Sequence, residues 1–403
     1  MRLIEHYRTI IILIAVILLI ITAFFICFQK NKVAVTLEPE LAAEMEQETS
    51  AEQEESIISE KQGPLTPSFE SSQPKTIKAI YVTSWSASRE SYVDYIINIA
   101  RDTEINGVVI DIKDWSGYIA YDTALAEAEE YNAKSIRIKD IGSLTQRLRG
   151  EGVYSIARIT VFQDPVLARA RPDLAVHSKA GPASLWLDKS GLAWIDPAAK
   201  ESWDYNIAIA KEAVELGFDE INFDYIRFPS DGNLRDMSFP LWDESTPRHL
   251  VMREFFEYMR QELPDVNLSI DLFGLSTVNH DDLGIGQIIE DAFEYFDYVC
   301  PMVYPSHYAA GFLGYQNPAD YPYEVVRYSV EKALERLSVL DPAKEKSVRL
   351  RPWLQDFDLG AVYDAEMIRS QIEAVYDAAK DDFSGFMLWN SSNVYTTEAL
   401  LPS

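Results

Sequence analysis

The stretch Gly217–Gly232, GFDEINFDYIRFPSDG, sets Asn222, Asp224 and Arg227 among Ile221, Phe223, Ile226 and Phe228. Side chains alternate along a β-strand, so Asn222 and Asp224 share one face while Ile221, Phe223 and Tyr225 share the other. A carboxylate on a face where burial is expected needs a partner, and Arg227, Lys113 and Arg158 are the candidates. The same placement recurs elsewhere. In GVVIDIKDW, Val109, Asp111 and Lys113 share parity and Asp114 follows at the exit. Ser269 and Asp271 share parity in VNLSIDLFG, as do Arg349, Arg351, Trp353 and Gln355 in VRLRPWLQDF. Held carboxylates of this kind act as nucleophiles or as proton donors and acceptors. The plainer alternative is a structural ion-pair network, which places the same residue types together.

Aromatic residues gather at the same strand ends. Trp85, Trp115, Trp353 and Trp389 stand at or near the ends of predicted strands, with Asn390 beside the last. Indole faces suit the C–H faces of sugar rings, although each tryptophan singly is more often core or shell packing. Tyr304 and His307, in PMVYPSHY, are expected to line the same mouth; a lone loop histidine is more often a hydrogen-bonding group than a catalyst.

Eight β-rich runs carry these residues: KAIYVTSW, GVVIDIKDW, VYSIARITVF, EINFDYIRFP, VNLSIDLFG, YVCPMVYP, VRLRPWLQDF and GFMLWN. Amphipathic segments separate them. One is ESYVDYIINIARDTEI, with Val93, Ile96, Ile97 and Ala100 at helical spacing. Another, from Asp196 to Gly217, has Asp196 as the expected N-cap and Pro197 at the first helical position. Further helices are expected near 140–152, 247–263, 285–296, 323–340 and 364–379. Strict alternation predicts a (β/α)8 TIM barrel over residues 76–403. A doubly wound open sheet would bring a glycine-rich turn after its first strand, where TSWSASRESY has none. No clear helix follows GFMLWN. The long loop Gln163–Asp196 is expected to help build the site.

The N-terminal part has another character. Thr9–Phe28 is an uncharged apolar run of a length that spans a bilayer core, and no small-x-small cleavage site follows it. It predicts an uncleaved transmembrane signal anchor at 9–28, with residues 1–8 cytoplasmic. Arg2 and Arg8 precede the run and Lys30 and Lys32 follow it, but a short N-terminal flank favours an extracytoplasmic C-terminal domain at the cell membrane. Residues 29–75 predict a disordered acidic linker, since Val33–Lys75 holds ten glutamates and almost no aromatic residues. The formal charge of −28 speaks against nucleic acid as a partner. Cys27 and Cys300 are not expected to pair. Scattered histidines and the lack of a Cys/His cluster give no reason to expect a metal or other cofactor.

KAIYVTSW, GVVIDIKDWSGYIAYDT, the long segment from Gly191 to Gly232, PMVYPSHY and RPWLQDF resemble a bacterial family of glycoside hydrolase-like TIM barrels, distantly similar to alpha-amylases and alpha-galactosidases. The resemblance runs from Ile77 to the C-terminus. It implies a carbohydrate substrate and, by strand position, Asp224 as nucleophile. Asp271 on the fifth strand is then the acid/base, an aspartate where the amylase pattern has glutamate, with Asp356 in reserve. Carboxylates on adjacent strands suit a retaining mechanism. Arg227 would keep Asp224 charged. Asp111, Lys113 and Asp114 would hold sugar hydroxyls. Trp115, Arg158, Arg227, Tyr304, His307, Trp353, Asp356, Trp389 and Asn390 complete the expected substrate-binding set. A non-catalytic glycan-binding barrel and a metal-assisted hydrolase remain alternatives.

Overall fold

The computed structural model describes residues 76–340 and 348–403. The anticipated anchor, acidic linker and Cys27 lie outside these residues. Among the described residues, no helix is long and apolar enough to cross a membrane.

Eight parallel strands form the central sheet: β1 (Ile77–Val82), β2 (Gly107–Lys113), β3 (Tyr154–Thr160), β4 (Glu220–Asp224), β5 (Leu268–Phe273), β6 (Tyr298–Met302), β7 and β8 (Gly385–Trp389). β7 comes in two pieces, Arg349–Leu350 and Trp353–Gln355, on either side of Pro352, whose missing N–H interrupts the ladder. β8 pairs with β1 in register Ile77↔Gly385, which closes the barrel. Gly385 has φ 112°, and a Cβ there would lie 1.7 Å from the Ile77 carbonyl oxygen, so closure at this point requires glycine.

The two strand parities build two different cores. Ile80, Val108, Ile110, Ala157, Ile221, Phe223, Ile270, Val299 and Leu388 face outward. They are covered by α1 (Glu90–Asp102), α2 (Ile141–Gly150), α3 (Lys200–Glu215), α4 (Arg248–Glu262), the short α5 (Ile289–Phe293), α6 (Pro322–Leu337) and α7 (Ala365–Ala379). Inside lie Ile77, Ala79, Val109, Ile156, Cys300, Trp353 and Met387. The floor of this interior is polar. Glu220 and Arg351 form a fully buried ion pair, with the guanidinium 4.1 Å from the Tyr298 ring centre.

Several local expectations change. α3 begins at Lys200 rather than Pro197. Asp196 instead accepts from the Ala198 amide with one oxygen and from the Leu241 and Trp242 amides with the other, tying the loops after β3 and β4 together. The predicted helix over 285–296 shrinks to five residues. After β8 only a single 3-10 turn, Thr397–Ala399, is present, in line with the poor cover expected there. The long loop after β3 folds into a small antiparallel sheet of Gly181–Leu185, His177–Ser178 and Met237–Ser238, the last supplied by the loop after β4.

Candidate active site

The residues of chemical interest meet at the C-terminal ends of β2, β3, β4 and β5. The ladder pairs Asp111 with Arg158 and Thr160 with Asp224. The β4–β5 register ends at Phe223↔Ile270, one residue short of Asp224 and Asp271. Three inward carboxylates from three strands therefore surround one arginine from the fourth.

Arg158 donates to Asp111 through Nη1 at 2.5 Å and to Asp224 through Nη2, and its Nε stands 3.6 Å from Asp271 Oδ2. Burial alone would lower its pKa, but the charges of Asp111 and Asp224 raise it well above the ordinary arginine value. The three carboxylates differ in their remaining contacts. Asp111 accepts from the Tyr81 hydroxyl at 2.5 Å, and burial raises its pKa despite Arg158. Asp224 accepts from the Tyr225 amide at 2.5 Å. Tyr225 has φ 54°, a left-handed conformation that a tyrosine rarely adopts, and this turn ends β4 at the carboxylate.

Asp271 is the outlier. Its Oδ1 accepts from Trp353 Nε1 at 2.7 Å and from Asn222 Nδ2 at 3.0 Å, while Oδ2 has no hydrogen-bond partner. Burial first, and then the negative charge of Asp224, push its pKa up to about 8. A carboxyl group in this state keeps its proton at neutral pH, which is what a general acid requires. Burial, and then the carboxylates of Asp271 and Asp224 once both are ionised, hold the Tyr304 hydroxyl well above its ordinary pKa.

Aromatic rings line one side. Trp389 stacks on Tyr81 with centroids 3.8 Å apart, and the Arg158 guanidinium lies 5.1 Å from the Trp389 ring. The Tyr304, His307 and Phe357 rings contact one another, with His307 exposed. Trp115, at 52% exposure, and Trp85 stand at the rim.

Other expected site residues have different occupations. Lys113 shares sequence parity with Asp111, but the β2–β3 register shifts between them. Its ammonium is fully buried against Asp164 at 2.8 Å, the Thr160 carbonyl and Asn206 of α3, so it cannot touch a sugar. Asp114 is engaged by Arg137 and by Ser116, which fastens the loop after β2. Trp353 is fully buried and offers no stacking face; it serves as donor to Asp271. Asp356 accepts from the Thr396 amide and hydroxyl, and Asn390 holds the same C-terminal turn through the Asp356 and Val394 carbonyls. Arg227 forms no ion pair with Asp224; that partner is Arg158. Tyr81 and Asn222 are additions to the expected set. Their signal was the inward parity of Ile77, Ala79 and Tyr81 and of Asn222 with Asp224.

Among the described residues, no group of three or more His, Cys, Asp or Glu is placed to hold a metal ion.

The fold and its mouth define a closed (β/α)8 barrel with acidic groups gathered at the C-terminal ends of its strands, where barrel enzymes carry their sites. Residues 79–395 match the profile of a family described as "putative glycosyl hydrolase domain", and the chain belongs to that family of glycoside hydrolase domains. No curated protein sequence matches it. Among solved structures, a hypothetical protein from Ruminiclostridium thermocellum ATCC 27405 is 39% identical over 48% of this chain and 96% of its own, with a TM-score of 0.44. Alpha-L-fucosidase isoenzyme 2 from Paenibacillus thiaminolyticus is 12% identical, with a TM-score of 0.51, over 80% of this chain and 48% of its own. TtGalA, an alpha-galactosidase from Thermus thermophilus, is 11% identical over 79% of this chain and 59% of its own, with a TM-score of 0.47. The chain thus spans about half of the fucosidase, and at that identity the likeness is one of fold.

Proposed function

We propose that the chain is a retaining glycoside hydrolase, tethered to the membrane by residues 9–28 and acting outside the cytoplasm on a cell-surface or extracellular glycan. The observation that carries the chemistry is the unequal pair at the ends of β4 and β5. Asp224 is in direct ion pair with Arg158, whereas Asp271 has a pKa raised to about 8 beside it. Two carboxylates in opposed environments can divide the roles of nucleophile and acid.

In this reading an Asp224 oxygen attacks the anomeric carbon, and the glycosidic C–O bond breaks as Asp271 gives its proton to the leaving oxygen. A glycosyl ester on Asp224 results. Asp271, now a carboxylate, takes a proton from water while the water oxygen attacks the anomeric carbon and frees Asp224. Arg158 holds Asp224 in place throughout, and the Tyr81–Asp111 contact holds Arg158.

A non-catalytic glycan-binding barrel has one observation in its favour, because Asp271 is only 1% exposed. The deciding test is a 2-fluoro-glycoside panel followed by intact-mass measurement and peptide mapping. The hydrolase reading expects one added glycosyl group on the peptide containing Asp224. No labelling together with retained glycan binding favours the binding barrel.

A further inference from the structure

Arg227 lies at the same mouth and has no role in the mechanism above. Its side chain is 9% exposed, and its guanidinium is flanked by the rings of Trp194 at 4.8 Å, Tyr225 at 5.1 Å and Phe273 at 4.8 Å. Tyr225 directly follows Asp224, and Phe273 is the next inward residue after Asp271 on β5. The guanidinium therefore packs against residues that follow each carboxylate on its strand, and the charge of Asp224 reaches it.

Its polar contacts are sparse. Nη1 donates to Ser230 Oγ at 3.0 Å and to the Phe228 carbonyl at 3.4 Å, while Nη2 and Nε have no acceptor among the described residues. The acidic groups whose charge reaches it are Asp224, Asp231 and Asp188, and none of them forms an ion pair with it. Asp224 is engaged by Arg158 and the Tyr225 amide. Asp188 is engaged by Trp194 Nε1 and by the Ser190 and Leu192 amides. Asp231 accepts from the Lys189 amide. Every other arginine buried at or below the mouth, Arg158 and Arg351, has a carboxylate. A guanidinium out of water without a counter-ion is costly, and three rings offset only part of that cost. Two free donors on one edge of a planar guanidinium match the two oxygens of a carboxylate.

We propose that Arg227 receives the carboxylate of an acidic sugar, so that the substrate is an anionic glycan whose charged residue binds beside the Asp224–Asp271 pair. This rests on the reading of the mouth as a glycan site. The formal charge of −28 supplies no long-range attraction for such a ligand, so discrimination must come from the short contact itself.

The test is equilibrium binding by calorimetry with full-length protein in a polyoxyethylene detergent. The probes are matched acidic and neutral sugars: glucuronate against glucose, galacturonate against galactose, and N-acetylmuramate against N-acetylglucosamine. At least one acidic member should bind about tenfold or more tightly than its neutral partner. Arg227→Met, which keeps the length and packs among the same rings, should reduce that ratio to near one, and Arg227→Lys should keep part of it. Melting curves establish that each variant is folded. Equal binding within all pairs, no binding of any acidic member, or a ratio that survives Arg227→Met overturns the proposal. The same ratio measured in Asp224→Asn separates the two readings. A preserved ratio in a protein that never hydrolyses glycans keeps the Arg227 site and removes the hydrolase, whereas hydrolysis without any acidic preference does the reverse.

Discussion

Arg158 on β3 and Asp224 on β4 form a direct ion pair, buried at the mouth of the barrel. The same guanidinium serves Asp111, so its loss would leave two carboxylates without their cation. Arg158→Met should destabilise the domain by about 3–5 kcal/mol, the usual cost of stranding a buried charge. Arg158→Lys should recover charge but not the three-way geometry, and so regain more stability than turnover. Urea unfolding and turnover assays on both variants check this, and equal recovery of the two quantities would count against a positioning role.

Asp224→Asn keeps the shape of the side chain and removes the nucleophile. Turnover should fall by several orders of magnitude on activated aryl glycosides as well as on natural glycans. The Arg158 pair is lost at the same time, so melting is to be followed in parallel. Near-normal turnover would remove Asp224 from its role.

Asp271→Asn should show a different pattern. Good leaving groups need little protonation, so aryl glycosides should lose less than natural glycans in the first step, and azide should rescue the second. In wild type, loss of the Asp271 proton should give an alkaline limb near pH 8. A profile for natural glycans that is flat through that range excludes Asp271 as the acid.

Stability carries the same signature. Asp271 holds its proton in the folded state up to about pH 8, whereas an ordinary aspartate in the unfolded chain loses it near 3.8. Between these values the folded state binds more protons, so this group makes stability fall as pH rises from about 4 to about 8, and adds no further slope above. Asp271→Asn removes that slope. Relative to wild type, the variant should therefore gain stability steadily across this window, which melting at a series of pH values measures directly.

Lys113 gives a control outside the mouth. Lys113→Met should cost about 3–5 kcal/mol, because Asp164 then stays buried without its cation. The double variant Lys113→Met/Asp164→Asn should regain much of that loss, as chemical denaturation would reveal. No regain would mean that the Thr160 and Asn206 contacts of Lys113, rather than the ion pair, carry the stability.

The barrel and the inward face of most of its strands are readable from residue order alone. Alternation of period two in INFDY, VVIDI and LSIDL assigns each residue to one side of the sheet, and eight such runs separated by helices leave few arrangements. Asp111, Asp224 and Asp271 were legible for that reason, whereas Arg158 stood only as one of three candidate partners for a buried carboxylate. What parity could not supply was register and irregularity. A shift between Asp111 and Lys113 turns the lysine towards α3, and no feature of GVVIDIKDW announces it. Partner choice also lay beyond the sequence. Arg227 is three residues from Asp224 along the chain, yet the left-handed turn at Tyr225 carries it among aromatic rings, and Arg158 from the neighbouring strand takes the carboxylate. Trp353, Asp356 and Asn390 likewise fell at the right strand ends. Whether an end residue faces the opening, supports a carboxylate or ties down a turn depends on contacts with residues far along the chain, such as Asp271 and Thr396. Only the closed barrel brings those within reach.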